Sequence, residues 1–113
     1  MVKPTITYDD FTKLDLRVGE VVEAEEVAES KKLIRLKVDL GEEYGVRSIF
    51  AGLLPFGYTK SDFLGKKFVF LANLAPKAMP GGESQGMMFS ADSGERAIII
   101  PVGKKIPNGS VVR

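Results

Sequence analysis

Apolar and polar residues alternate along much of this chain. Leu14 to Ala24 largely follows that rule, the period of a strand with one buried face. Gly19 interrupts the run, where glycine predicts a bulge or a sharp coil of the strand. Leu33 to Leu40 alternates from Leu36 onward and predicts a second strand, turning through Gly41–Gly45 into a third at Val46–Ala51. Lys67–Asn73 predicts a fourth strand and Met87–Ala91 the start of a fifth. Asp92-Ser93-Gly94-Glu95 has the composition of a hairpin turn, after which Ala97–Val102 returns as a strand. Pro107-Asn108-Gly109 marks a last turn before the Val111-Val112 tail.

Helical signals are few and short. Thr7 is placed to cap a turn at Tyr8–Lys13, with Asp9 and Asp10 where the positive end of a helix favours acids. Ser61-Asp62-Phe63-Leu64, stopped by Gly65, predicts one more helical turn. The expected class is all-β: a five-stranded OB-fold Greek-key barrel with a short helix between strands 3 and 4, and with N- and C-terminal extensions. A helix at that place in the strand order is what such a barrel has. No repeat or linker divides residues 1–113, so one domain is expected. OB barrels take ligands on the face of strands 2 and 3 and on the loops joining strands 1–2 and 4–5. Those loops are Glu25–Lys32 and Asn73–Gly86 here.

Composition narrows the chemistry. The chain has no histidine and no cysteine, which removes the commonest general base, the commonest metal ligand and every thiolate site. Gly81-Gly82 and Gly86 lack the Gly-Lys-Ser/Thr ending of a phosphate loop. No acidic cluster has the spacing of a calcium loop. The expectation is a binding module with no catalytic residue, metal or cofactor. No apolar run approaches the ~20 residues of a membrane span, and the first residues lack the apolar core of a secretory signal. A cytoplasmic protein with no membrane partner is expected.

Charge is unevenly spread. Net charge is +1, yet residues 1–45 hold seven basic against eleven acidic side chains, and residues 46–113 hold nine against four. Lys31, Lys32, Arg35 and Lys37 form the densest basic cluster. Arg35 and Lys37 share one strand face, suited either to a phosphate backbone or to a solvated edge that deters aggregation. Arg47 opens the third strand and is placed to join that face or to pair with an acid. The loop after the fourth strand carries Asn73, Lys77, Met79, Ser84 and Gln85, then Gly86 and Met87, and is longer than a plain hairpin connection of about 2–5 residues. Its glycines let the backbone approach a ligand closely. Phe50 and Phe89 lie in apolar strands and read as core.

These residues resemble a known family. Asp10-Phe11, Leu14-Asp15-Leu16-Arg17-Val18-Gly19, Lys32-Leu33, Leu36-Lys37-Val38-Asp39-Leu40-Gly41, Asn73-Leu74, Pro76 and Gly82-Glu83-Ser84-Gln85-Gly86-Met87 are similar to the stand-alone tRNA-binding domain. The same domain occurs at the C-terminus of methionyl-tRNA synthetases. The resemblance runs from about Asp10 onward, and the Asp-Leu-Arg-Val-Gly opening together with Ser-Gln-Gly-Met makes it specific. It implies non-catalytic binding of tRNA by shape and backbone, a homodimer built by the terminal segments, and association with a methionyl-tRNA synthetase. Implied contacts are Lys32, Arg35, Arg47, Asn73, Lys77, Ser84, Gly86 and Met87; Lys31, which stands where the family usually has an acid and adds charge, Met79 and Gln85 join them as candidates on their own chemistry. The chain departs from the family at Val27-Ala28, where His-Pro is frequent, and at Lys77-Ala78-Met79-Pro80, where a basic run is common. A relative, the export-related chaperone, supplies the alternative of unfolded-peptide binding, for which soft methionines are suited.

Overall fold

The computed structural model describes residues 1–113. One long strand organises the molecule. β1 (Leu16–Glu26) pairs antiparallel with β4 (Lys67–Leu71) along its first half and with β2 (Ile34–Asp39) along its second. β3 (Val46–Ala51) pairs with β2, and β7 (Met87–Met88) pairs with β4. The resulting order, β3-β2-β1-β4-β7, brings the outer strands β3 and β7 together and nearly closes a barrel. This is the expected all-β, OB-like architecture.

A strand shared in this way must bend sharply. The bend comes from a register shift between Val21 and Glu23, so the bulge lies beyond Gly19 rather than at it. Gly19 serves packing instead. A Cβ there would stand 2.5 Å from Val38 Cγ1 and 2.8 Å from Leu40 Cδ2. Inside the barrel, Phe63, Phe68, Phe70, Ile34, Leu36, Val38 and Ile49 are fully buried. Each contributes about 1.5–3 kcal/mol by leaving water.

Some connections differ from the sequence expectation. The helical link between β3 and β4 consists of two 3₁₀ turns, Leu54–Phe56 and Lys60–Asp62, instead of one turn at 61–64. The segment expected as an open loop after Asn73 folds into a hairpin, β5 (Lys77–Met79) with β6 (Gly82–Ser84). β8 (Ser90–Asp92) and β9 (Ala97–Ile99) form the second hairpin, at the predicted turn. The Val111-Val112 tail is itself a strand, β10, paired with Leu16 and Arg17 of β1. Helix α1 (Tyr8–Thr12) carries a full capping box between Thr7 and Asp10, as Thr7 promised.

Candidate nucleic-acid interface

Asp15, Arg17 and Asn73, all within the motifs singled out above, form a bonded cluster at the start of β1. Arg17, 8% exposed, donates from Nε and Nη2 to the two Asp15 carboxylate oxygens at 2.7 and 3.2 Å. Its Nη1 donates to Glu43 Oε1 at 2.9 Å and to the Gly109 carbonyl at 3.1 Å. The Tyr44 hydroxyl donates to Asp15 at 2.5 Å. Arg17 and Arg47 both lie over the Tyr44 ring, at 5.3 and 4.7 Å from its centroid. Hydrogen bonding to Arg17 holds the Asp15 carboxyl below its usual range, helped by Tyr44 and opposed by burial. Donation to Asp15, reinforced by burial, pushes the Tyr44 phenol up.

Asn73 belongs to this cluster. Its Oδ1 accepts the Asp15 N–H at 2.8 Å and its Nδ2 donates to the Lys13 carbonyl at 2.7 Å. Arg47, half-buried, donates to the Ala72 carbonyl at 3.2 Å.

Ser84, Gln85 and Gly86 close the barrel. The Gln85 N–H donates to the Ser48 carbonyl at 2.8 Å, and Gln85 Oε1 accepts the Ser48 N–H at 3.3 Å. The buried Ser84 Oγ accepts the Phe50 N–H and donates to the Gly86 carbonyl, both at 3.0 Å. Side-chain oxygens thus supply acceptors along an edge of β3 where a neighbouring strand would offer carbonyls. Gly86 has φ +142°, and a Cβ there would stand 2.9 Å from the Leu71 carbonyl oxygen. Only glycine meets both conditions without strain.

These bonds also bring the two loops together. Ser84 is joined to Phe50, Phe50 is paired with Arg35, and the Lys32 carbonyl accepts the Leu54 N–H at 3.2 Å. At the hairpin tip, a Cβ on Gly81 would come within 2.7 Å of Val27 Cγ1 and 2.5 Å of Glu29 Oε2. The loop at 27–33 and the β5–β6 hairpin therefore flank the same face of β2 and β3. Phe50 is buried, as expected, and packs beneath Gly82 of the hairpin, beside rather than within the central cluster.

The charges on this face are mixed. Arg35 pairs with Glu25 and Lys37 with Glu23, their cross-strand neighbours on β1. Arg35 holds the exposed Glu25 carboxyl below its usual range. Lys31, Lys32 and Lys77 are exposed and form no ion pair within the chain. Met87 is exposed and Met79 half-buried. No group of three or more acidic, His or Cys residues is arranged to hold a metal. No helix is long and apolar enough to cross a membrane.

The family model described as a tRNA binding domain matches residues 16–111, from the start of β1 into β10. The chain belongs to that family. Solved structures share the fold. A MetRS-related protein from Pyrococcus horikoshii superposes with a TM-score of 0.91 at 38% identity, covering 98% of this chain and 100% of that one. The chaperone CsaA of Bacillus anthracis follows at 0.85 and 28% identity, covering 97% and 100%. Among curated proteins, the methionine–tRNA ligase of Methanosarcina mazei is 46% identical over 112 residues, 97% of this chain and 15% of that protein. The chain spans about one-seventh of the length of such relatives.

Sequence reasoning missed Tyr44 and the hydrogen-bonded Asp15. The spacing of Asp15 and Arg17, two apart on one strand face, was the available signal. It also missed the β5–β6 hairpin, whose Pro80-Gly81-Gly82 turn was the cue.

Proposed function

We propose that this chain is a non-catalytic tRNA-binding module in which exposed lysines grip the RNA backbone while the family motifs hold the barrel that presents them. The observation that carries it is the convergence of the 27–33 loop and the β5–β6 hairpin beside β2 and β3, the ligand face of an OB barrel. Lys31, Lys32 and Lys77 supply unpaired cations, and Arg35 joins them by exchanging Glu25 for phosphate. Met79 and Met87 add adaptable contact surface. Asn73, Arg47, Ser84, Gln85 and Gly86 act one step back, by shaping the face. Recognition by backbone and shape follows, since phosphate contacts position without specifying sequence. Salt titration tests this reading: affinity for total tRNA should fall steeply, by about 0.7–0.9 log units per neutralised phosphate for each tenfold rise in salt. No binding at low salt would refute it.

The module works in the cytoplasm in company with a methionyl-tRNA synthetase, a partnership motivated by the synthetase relatives. It acts as a homodimer. Leu16, Val69, Phe89, Ile100 and Val112 line a wholly apolar recess, with Ile98, Val111 and Leu14 also exposed. A contiguous apolar surface of this kind marks an association site. Light scattering that reports a monomer at micromolar concentration would reject the dimer.

A second reading, a peptide-binding chaperone, is favoured by the CsaA likeness and the exposed Met87. Competition separates the two: tRNA should displace a bound unfolded peptide only if they share the lysine face, and peptide binding alone should strengthen with salt.

A further inference from the structure

Beside the lysine loop, where β3 runs out, the surface holds a recess of about 260 Å³. Phe50, Leu53, Met87 and Met88 give it apolar walls, and Gly52 and Ser90 sit at its polar edge. It exists because closure of the barrel is partial. Ser84 and Gln85 bond the free edge of β3 at Ser48 and Phe50, and the bonding does not extend to Gly52. Past that point the Gly52 N–H and C=O and the Leu53 N–H make no hydrogen bond within the chain. The Lys32 carbonyl, bonded to the Leu54 N–H, fixes the unpaired Lys31-Lys32 pair next to Leu53.

We propose that this recess receives one unpaired nucleobase of a single-stranded RNA segment, with the neighbouring phosphates on Lys31 and Lys32; the idea rests on the tRNA-binding reading above. Three features converge on that ligand. Apolar and aromatic walls accept the ring faces, as in other single-strand sites. Backbone groups left open at Gly52 and Leu53 match the donor and acceptor edge that an unstacked base offers. The recess falls just below the roughly 300–1,000 Å³ of sites for drug-sized ligands, a scale that suits one base. An unfolded peptide would fill the apolar walls equally well, but it has no phosphate for the two lysines.

The chain's four methionines make a test direct, because only Met87 and Met88 line the recess while Met1 and Met79 do not. With methionine methyls isotopically labelled, a single-stranded ribohexamer should move the Met87 and Met88 resonances and leave the other two in place. An abasic hexamer of the same length should leave all four unmoved. Gly52→Leu narrows the recess without strain: no atom lies within 4 Å of the new Cβ and no positive φ is required. It should weaken hexamer binding about tenfold or more, the scale of one base contact, with the melting temperature unchanged. Equal affinity for abasic and normal hexamer, or still methyls at saturation while tRNA binds, would overturn the base site and leave the tRNA reading standing. Failure of both RNAs at low salt would remove both. An apolar peptide that moves these methyls when the hexamer does not would overturn the proposal in favour of polypeptide.

Discussion

The Asp15–Arg17–Tyr44 cluster and the Lys31–Lys32 loop differ in how their bonding capacity is used. Arg17 spends its guanidinium on two carboxylates and a carbonyl, and Tyr44 is held by Asp15 between two arginines. Lys31 and Lys32 make no ion pair in the chain and stand in solvent. The first cluster contains the residues that make the family recognisable. The second is chemically ordinary and would pass for a solvated surface. The contrast teaches that a motif's specificity can report architecture, whereas the proposed tRNA contacts fall on side chains that the architecture leaves unbonded.

The sharpest way to break this contrast is Arg17→Ala. It strips Asp15 of its guanidinium and leaves the Gly109 carbonyl unpaired, at a cost of about 3 kcal/mol for breaking a mostly buried pair. Denaturant unfolding measures the loss, and the folded fraction should still bind tRNA with an unchanged salt slope. Ser84→Ala follows. Removing Oγ leaves the Phe50 N–H without its acceptor, a loss of about 1–3 kcal/mol. Gly86→Ala should cost a similar amount through strained backbone.

A pH titration of stability probes the cluster more gently. The folded Asp15 carboxyl titrates below its ordinary 3.8, so its contribution is present above that value and fades as pH falls toward and through the folded one. Asp15→Asn should therefore flatten the acid limb below about pH 4, and Glu25→Gln serves as the exposed comparison. Tyr44 moves the opposite way. Its folded pKa lies above the ordinary 10.0, so its contribution is complete below pH 10 and is lost as pH rises beyond that. Tyr44→Phe should remove that alkaline limb.

Much of the fold could be read from alternation alone. Val46–Ala51 appears with the boundaries predicted, and β2 is shorter than predicted by one residue at each end. Strands of two or three residues were legible where a longer apolar run contained them, as at Met87–Met88 and Ala97–Ile99, and not where they stood alone, because two or three alternating positions carry no period. That is why Lys77–Met79 and Val111–Val112 read as loop and tail, although the former makes a hairpin and the latter pairs with β1. The candidate face was legible as a location, from the strand order, but not in its division of labour. Sequence alone gives Ser84 and Lys77 equal standing as polar loop residues. Only the Phe50 N–H, brought to Ser84 by a register 34 residues distant, shows that one is bonded into the barrel and the other is not.

The central claim is tested most directly by the salt dependence of tRNA affinity in two variants measured side by side. Lys31, Lys32 and Lys77 replaced together by Ala should leave stability within about 0.5 kcal/mol and make the log–log slope shallower by about two to three. Ser84→Ala should lose stability and keep the parent slope. A triple variant with the parent slope, or a Ser84→Ala protein that stays stable while its slope collapses, would place the RNA contacts on the motif and contradict the account.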